Sequence, residues 1–482
     1  IGTEAFAANY IRDNCLPEYK DAIAAIGQVT DPQVQHALLR GCAGMCKVTY
    51  LLRTVPPSQV VTATFGEIHQ ITRRALQNAI VGITDLGLLQ TELPIKLGGF
   101  GFRDPTKHHT CAYLASRCNA GILDKQSDAV QSDPHLKAMW DTIEEQFDDA
   151  AILAHVSDAH HRLALGVKVN EDNGEFELSQ EAQVNWFTQP QRLISLRIDY
   201  TVLNDILVQT RATLPPQEAD KQVAERITLL SPHAGGFLHA RPNNSAAGQM
   251  EPWEWQTAVR LRLSMDTITH EGHTCTVCKR APVDKRGRHA LCACRHGGDK
   301  NRRHNNVCKV IQESLRYTGV QVRTEQHVAG LGRERHADLL VFRPNKSEVV
   351  DVAITYAGQT SQECRLVANQ NRTTHFADSY STNHKINLYK NDVEADGRYT
   401  FVPIVANHLG GWSTEAYKWL KQLSKDVGQK VADDMVLNSN RHSQTLFTRL
   451  SVTIQKANAR MISLRRAPDQ LNFQFNWLES DI

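Results

Sequence analysis

The sequence predicts a multidomain chain of the α plus α/β class, with a helical first half and an α/β core over residues 303–430. At 482 residues the chain is too long for a single hydrophobic core, so about two to four domains are expected. Apolar residues recur at helical spacing through much of residues 1–125. Between residues 303 and 430, helical patterns alternate with four short runs that are typical of strands, GVQVRTEQHV, HADLLVF, EVVDVAIT and YTFVPIVANH.

The composition is that of a folded protein, with 41% hydrophobic and 22% charged residues. No apolar run approaches the length of a membrane span, so we expect no membrane partner. The 11 cysteines are an odd number, and four of them lie close together at Cys275, Cys278, Cys292 and Cys294. This clustering favours metal binding in a reducing, intracellular compartment over a secreted disulfide framework.

Two helix starts are indicated in the first region. Asp31 precedes Pro32 as an N-cap residue would, and Ser58 precedes a long run with apolar residues three and four apart. The glycine-rich stretch 93–105 is expected to be a backbone turn, because it lacks the Lys-Ser or Lys-Thr of a phosphate-binding loop. A second helical segment follows and ends in a Gly- and Pro-rich connector over 231–248.

A predicted helix over 250–267 leads into a stretch with the ligand types of a small zinc site. Cys275 and Cys278 are separated by two residues, ten residues separate Cys278 from His289, and four separate His289 from Cys294. Two such pairs, each on a tight turn, can complete a tetrahedron around Zn²⁺. Cys292 is a rival for the fourth position. Four protein ligands leave no open coordination position, so this zinc is expected to be structural.

Basic residues are concentrated around the same stretch. Between Lys279 and Lys309 there are ten Lys or Arg against two Asp, a local balance of +8. Such a block attracts phosphate, although a solvated loop is the simpler alternative. The predicted nucleic-acid contacts here are Arg286, Arg288, Arg295, Lys300, Arg302 and Arg303. The neighbouring His296, His304 and Cys308 are expected to pack or to face solvent.

Two aspartates lie in consecutive predicted strands, HADLLVF and EVVDVAIT. Asp338 and Asp351 both stand in apolar runs, where an unpaired carboxylate is costly. Two such acids would repel each other, and a shared Mg²⁺ or Mn²⁺ ion best explains them. Glu325, in the preceding strand, is a candidate third carboxylate. The alternative is that Asp338 follows a turn and Asp351 caps an edge strand.

Restriction-type nucleases of the PD-(D/E)XK class carry a lysine two residues after the second acid. Ala353 occupies that place here, so the positive charge must come from elsewhere or the site is inactive. Lys385 and Tyr389 are four residues apart and would share one face of a helix. Lys385 is therefore the candidate catalytic lysine, with Tyr389 beside it, and an ordinary surface Lys with a packed Tyr is the alternative.

Several motifs, in this order, resemble the C-terminal half of non-LTR retrotransposon proteins that carry a restriction-like endonuclease. They are TYLLRTVPP, DLGLLQTELPIKLGGFGFRD, AYLAS, AVRLRL before the Cys-Cys-His-Cys knuckle, RHADLLVF with a second Asp after 12 intervening residues, Lys-x-x-x-Tyr and FVPIVANHLGGW. The resemblance covers most of residues 45–425. It departs from many relatives where His336 and Ala337 replace a proline before the first acid.

The resemblance implies a role for each candidate residue. Asp338 and Asp351 become the metal-binding acids, Lys385 the displaced catalytic lysine, Tyr389 its companion, and Arg335 the basic residue before the first acid. It also implies the domains: a thumb-like helical region (1–125), a helical linker (126–248), a zinc knuckle with its leading helix (249–302), a restriction-like core (303–430) and a helical tail (431–482).

The function expected from these features is metal-dependent nicking of DNA, which leaves a 3′-OH that primes reverse transcription in a nuclear compartment. No polymerase palm is expected, because Phe147-Asp148-Asp149 has the polar setting of a surface helix. The polymerase would then lie upstream in the same polyprotein or act in trans, with element RNA as a further partner. Two alternatives remain: a zinc-dependent nucleic-acid-binding remnant without catalysis, which Ala353 favours, and an interaction scaffold with neither activity.

Overall fold

The structure, a computed structural model, covers most of the chain. It describes residues 3–119, 134, 137–139, 167–169, 176–178, 190–242, 248–268, 272–328, 331, 336–358, 360–395, 397–433 and 445–466. Arg335 and the Phe147-Asp148-Asp149 segment lie outside the described residues. The chain divides into two compact units, Ile1–Ala219 with Asn369–Asn371, and Asp220–Ala368 with Arg372–Ile482. The division falls within the predicted linker, and the predicted knuckle and core both belong to the second unit.

The first unit is mainly helical. Its helices are α1 (Glu4–Tyr10), α2 (Leu16–Gly27), α3 (Pro32–Cys42), α4 (Met45–Thr54), α5 (Gln59–Ala79), α6 (Asp85–Glu92), α7 (Pro105–Asn119) and α8 (Pro190–Thr213). A π-helical turn, Ile11–Cys15, joins α1 to α2, and a 3-10 turn, Ile95–Leu97, follows α6. Strands β1 (Val167–Val169) and β2 (Phe176–Leu178) form an antiparallel pair.

The two helix starts predicted in this unit are confirmed. The Asp31 carboxylate accepts the amides of Gln33 and Val34, and the Ser58 hydroxyl accepts the amide of Val61. The glycine-rich turn is confirmed as well, since Gly98 and Gly101 have φ of 86°. A Cβ at Gly99 would lie 2.0 Å from the Leu93 carbonyl oxygen, so only glycine fits the closest approach of this turn.

A buried ion-pair network joins three helices of the first unit through the Glu92 carboxylate of α6. Oε1 lies 3.1 Å from His69 Nε2 and 2.9 Å from Arg73 Nη1, both on α5, and Oε2 lies 2.9 Å from Lys107 Nζ on α7. Burial alone would raise the pKa of Glu92, but the hydrogen bonds and charges of His69 and Lys107 outweigh it and lower that pKa. The three side chains therefore pair the Glu92 carboxylate within the fold, and we interpret the network as structural.

The second unit contains the α/β core. Its helices are α9 (Pro216–Thr228), α10 (Pro252–Arg262), α11 (Asp299–Tyr317), α12 (Ser361–Gln370), α13 (His375–Ser381), α14 (Asn391–Glu394), α15 (Thr414–Asp433) and α16 (Leu446–Ser463). Helix α9 begins four residues before the division. A 3-10 turn spans Gly236–His239, and π-helical segments span His289–Ala293 and Thr382–Lys390.

Four strands form a mixed sheet in the order β3-β4-β5-β6. They are β3 (Val322–His327), β4 (His336–Val341), β5 (Ser347–Thr355) and β6 (Tyr399–Asn407). The first three are antiparallel neighbours, whereas β6 returns parallel to β5 after the intervening helices. All four strands were predicted from the sequence, and the fold class of helices combined with a small α/β sheet is confirmed at this level.

Alternation along the strands divides the apolar residues between the two faces of the sheet. One face packs with α11, α15 and α16, through buried residues that include Ile311, Val350, Val352, Leu420 and Leu450. Val349 and Ala353 alternate with these on β5 and pack in separate clusters with Phe401 and Ala377. Helix α16 had been expected in a separate tail, but its apolar face completes the core of the second unit.

The part of the chain that the structure describes holds no helix that is both long enough and apolar enough to span a bilayer.

Candidate active site

The register of the sheet brings the predicted acids into one row across three strands. The β4–β5 pairing ends at Leu339 and Val350. In the same register, the next residues along the two strands, Asp338 on β4 and Asp351 on β5, stand opposite each other. The β3–β4 pairs that come just before and just after this position place Glu325 opposite Asp338 in the same way. Neighbours across adjacent strands lie close enough for their side chains to interact, so the sheet itself concentrates negative charge at this row.

Lys385 supplies a cation to this row from the π-helical segment Thr382–Lys390. Its Nζ lies 2.9 Å from Oδ1 and 2.8 Å from Oδ2 of Asp351. The side chains of Lys385 and Asp351 are 17% and 18% exposed, so the pair is half-buried but open to solvent. Ala353, at the usual lysine place, packs with Ala377 and Val405. The amine therefore reaches the second acid from a helix after the strand.

Asp338 has its own partners on the other side of the row. Its Oδ1 lies 3.1 Å from His304 Nε2, and its Oδ2 accepts the Val352 amide at 2.7 Å. The His304 side chain is 28% exposed and that of Asp338 21%. His304, which was expected to pack or to face solvent, is partly exposed and hydrogen-bonds the first acid.

Cys308 stands one turn after His304 on α11. Its Sγ lies 3.5 Å from His304 Nε2, and its side chain is part of the buried core beside the sheet. The expectation that Cys308 packs is therefore confirmed. The i, i+4 spacing of His304 and Cys308 was visible in the sequence, and it was the one signal that could have paired them.

The two aspartates differ in electrostatic setting. Burial alone would raise the pKa of Asp338, but the hydrogen bond and charge of His304, helped by the Val352 amide, lower it overall. Burial raises the pKa of Asp351, and the neighbouring Asp338 adds to that rise against the charge of Lys385. A carboxyl whose ionisation is impeded by a neighbouring carboxylate fits a divalent-cation site, since a shared cation would relieve the repulsion.

Glu325 and Tyr389 occupy different positions around the acid pair. Glu325 has a φ of +54°, a left-handed conformation that costs energy for a residue with a side chain. Such strained residues concentrate at functional sites. The Tyr389 ring lies 6.1 Å from that of Phe401, centroid to centroid, and packs in the apolar cluster with Val349 and Val393. This packing anchors the helical segment that carries Lys385.

The structure also gathers the predicted zinc ligands. One ligand atom from each of Cys275, Cys278, His289 and Cys294 lies within 4.8 Å of the other three. Three sulfurs and one imidazole nitrogen are a donor set that suits Zn²⁺. Burial raises the pKa of Cys275, whereas the Arg280 amide lowers that of Cys278. Cys292 is not among the four.

Hydrogen bonds from outside the four residues orient this cluster. The Asp284 carboxylate accepts the amides of Arg288 and His289, at 2.9 and 2.7 Å. Arg465, which follows α16, hydrogen-bonds Cys294, and its Nη1 lies 3.0 Å from Asp299 Oδ2. The Thr276 hydroxyl donates to the Leu464 carbonyl at 2.6 Å. The end of α16 is thus tied to the cluster directly.

The basic residues predicted to contact nucleic acid fall into two groups. Arg288, Arg295 and Arg302 are exposed. Arg286 instead bonds Glu225 and the Ser264 carbonyl, and Lys300 bonds the Cys292 carbonyl. These two side chains are partly buried and already engaged in the fold.

Arg303 is a correction to the sequence prediction. It is 3% exposed, and its Nη1 donates to Asn458 Oδ1 at 2.8 Å. A guanidinium enclosed in this way joins α11 to α16 and is not available to a phosphate. Lys279, Arg280 and Lys309 are exposed on the same stretch and add to the basic surface.

No family model matches this chain, and no curated protein is significantly similar to it.

Proposed function

We propose that this chain is a metal-dependent DNA endonuclease with a restriction-like core, derived from a non-LTR retrotransposon protein. One observation carries the proposal: Asp338 and Asp351 stand opposite each other at a solvent-open place, and the Lys385 amine contacts both oxygens of Asp351. The Lys385 amine thereby supplies the positive charge that Ala353, at the usual lysine place, does not provide. The resemblance in the order of motifs agrees with it.

The residues present fit the chemistry of phosphodiester hydrolysis. Asp338 and Asp351, with Glu325 beside them, would hold Mg²⁺ or Mn²⁺ through carboxylate oxygens. Such an ion supplies Lewis acidity that favours ionisation of water and stabilises charge on a leaving oxygen. The charge of Lys385 favours the ionised form of Asp351 and would lie where a phosphate approaches. Tyr389 holds the helical segment that positions this amine.

The four-ligand cluster would act as a zinc knuckle that presents basic side chains to DNA. Exposed Arg288, Arg295 and Arg302 are suited to phosphate contacts, which position a nucleic acid without reading its sequence. In this proposal the nick leaves a 3′-OH that primes reverse transcription from element RNA. The polymerase acts upstream in the same polyprotein or in trans, and a DNA target implies a nuclear setting.

Nicking of a supercoiled plasmid tests the proposal. Protein loaded with one equivalent of Zn²⁺ is incubated with Mg²⁺ or Mn²⁺, and conversion to open circles is followed on gels. The wild-type chain is expected to nick, and Asp351→Ala is expected to reduce nicking to the level without divalent ion while DNA binding persists. Asp392→Ala removes an exposed acid elsewhere in the second unit and serves as the matched control.

Equal nicking by the wild type and Asp351→Ala would sink the proposal, because the activity would then come from another site or from a contaminant. Absence of nicking by the wild type with either ion would also count against it.

The exposed arginines favour a second candidate, a zinc-dependent nucleic-acid-binding module without cleavage. Each phosphate contact contributes a slope of about −0.9 to the dependence of log affinity on log salt. Replacing Arg288, Arg295 and Arg302 together by Ala should therefore flatten that slope by roughly 2 to 3. Binding that disappears in Cys275→Ser, with no cleavage under any metal, would favour this candidate over the nuclease.

A further inference from the structure

A second set of potential metal-binding atoms adjoins the acid row and combines Asp338 of that row with two residues outside it. His304 Nε2, Cys308 Sγ and one carboxylate oxygen of Asp338 all lie within 4.8 Å of one another. The contacts joining them are 3.5 Å between Sγ and Nε2 and 3.1 Å between Nε2 and Asp338 Oδ1. Ligands at adjacent positions on one ion are separated by similar distances.

The arrangement has rigid supports. His304 and Cys308 lie one turn apart on the same face of the 19-residue helix α11. Cys308 is 9% exposed and packs in the core between this helix and the sheet. Asp338 is fixed from the strand side by the Val352 amide. The three donors therefore come from two elements that the core already holds together.

The donor types decide which ion fits. Mg²⁺ prefers oxygen ligands and retains its waters, so an imidazole nitrogen and a sulfur do not suit it. Zn²⁺ and Co²⁺ accept nitrogen, sulfur and oxygen donors together. Asp338 belongs both to this set and to the acid row, so an ion bound here would compete for it with an ion bound at the row.

We infer that His304, Cys308 and Asp338 form a binding site for a thiophilic divalent ion such as Zn²⁺ or Co²⁺, distinct from the knuckle. When the ion binds, a metal–sulfur bond forms and the Cys308 thiol releases its proton to solvent. The site itself does not depend on nuclease activity. One consequence does rest on the proposed function: an ion here competes for Asp338 and inhibits Mg²⁺-dependent nicking.

Cobalt spectroscopy tests the site directly. The full chain is first loaded with one equivalent of Zn²⁺, which Co²⁺ displaces poorly from the knuckle because zinc binds more tightly. Co²⁺ is then titrated, and the absorption that arises from sulfur-to-cobalt charge transfer is recorded with the bound stoichiometry. The expected result is one further Co²⁺ per chain with a charge-transfer band.

The variants separate this site from the other cysteines. Cys308→Ser should abolish the band, and His304→Gln should weaken Co²⁺ binding by at least about tenfold. Cys364→Ser removes another buried cysteine of the second unit and should behave like the wild type. Absence of the band in the wild type, or a band of equal size in Cys308→Ser, would overturn the inference.

Nicking in the presence of added Zn²⁺ tests the consequence separately. Zinc beyond the first equivalent should suppress Mg²⁺-dependent nicking by the wild type more strongly than by Cys308→Ser. If added Zn²⁺ suppresses nicking equally in the two proteins, the two ions do not compete for Asp338. If the wild type does not nick at all, the proposed function fails while the cobalt result still decides the metal site.

Discussion

The Lys385 amine contacts both oxygens of Asp351, although 34 positions separate the two residues in sequence. A lysine on the same strand would have its position fixed by the pleat. Here the position depends on how the segment Thr382–Lys390 packs on the sheet, with the Tyr389 ring as its anchor. Single π-helical insertions are frequent at functional sites, since they redirect side chains that a regular helix would aim elsewhere.

Lys385→Met tests the contribution of this amine. Loss of a charge placed to stabilise a transition state lowers a rate by roughly 10²–10³-fold, so nicking should fall by that amount while DNA affinity is retained. Lys390→Met removes an exposed lysine of the same segment and should nick at the wild-type rate. Plasmid nicking under single-turnover conditions measures both, and a similar rate for Lys385→Met would show that the amine is only structural.

The left-handed conformation of Glu325 leads to a paired prediction of stability. A residue with a Cβ is disfavoured there by about 1–2 kcal/mol, whereas glycine costs about 0.5–1 kcal/mol through the entropy of the unfolded chain. Glu325→Gly should therefore leave the second unit as stable or up to about 1.5 kcal/mol more stable. Thr324→Gly, at the preceding ordinary position, should destabilise it by about 0.5–1 kcal/mol.

Urea unfolding of the two glycine variants gives the comparison. Equal destabilisation would mean that no strain is released at Glu325. In the same preparations Glu325→Gly should nick more slowly than Thr324→Gly, because only the former loses a carboxylate from the acid row.

At the scale of elements, local sequence patterns were sufficient to predict a helix or strand wherever its structure depends on residues close by in sequence. Asp31 and Ser58 marked helix starts because capping involves residues two and three positions away. Alternation and β-branched runs identified strands β3 to β6, and with them the proximity of Asp338 and Asp351. The spacing of Cys275, Cys278, His289 and Cys294 likewise anticipated a cluster that the structure gathers.

Contacts between elements that are distant in sequence could not be predicted from such local patterns. The approach of α11 to β4 makes His304 a partner of Asp338, and no local pattern encodes that approach. Arg303 belongs to a run of exposed basic residues, yet α16 covers it and supplies Asn458 as its acceptor. Helix α16 was assigned from the sequence only to a helical tail, because an amphipathic pattern indicates an apolar face without saying what that face covers.

The Glu92 network makes the stability of three helices in the first unit dependent on pH. Because the pKa of Glu92 is lower in the folded than in the unfolded chain, its contribution is present above the ordinary value near 4.5 and is lost as the pH falls through the folded value. Glu92→Gln should destabilise the first unit by about 3 kcal/mol at neutral pH, since it leaves Arg73 and Lys107 without their carboxylate.

Urea unfolding at a series of pH values from neutral to acid measures this effect. The difference between the wild type and Glu92→Gln should shrink as the solution becomes more acid than the ordinary pKa of a glutamate. Asp85→Asn, which removes an exposed acid of the same helix, should retain the wild-type pH profile. A difference that stays constant down to acid pH would contradict the assignment to Glu92.

At the scale of the whole molecule, the four-ligand cluster is joined to the core of the second unit through the end of α16. His273 Nε2 lies 3.0 Å from the Arg465 carbonyl oxygen, and the Arg465 side chain contacts Cys294 and Asp299. Helix α16 in turn packs its apolar face against α11 and α15 in the core of the second unit. A change that loosens the four-ligand cluster is therefore expected to destabilise the core of the second unit as well.

Metal removal is expected to lower the melting temperature of the second unit by at least about 5 °C, because binding energy at a structural site is folding energy. Cys275→Ser should produce the same shift, and a chelator should then have no further effect. Cys42→Ser replaces an exposed cysteine of the first unit and should melt like the wild type. Calorimetry with and without chelator measures all three, and an unchanged transition after chelation would contradict the prediction.

The position of α16 also bears on the timing of folding during synthesis. The ribosome makes the four-ligand cluster and all four strands of the mixed sheet before residues 446–463, so these parts emerge while α16 is still missing. The apolar surfaces of α11 and α15 that α16 covers are then open to water, and chaperones would have a defined interval in which to bind them.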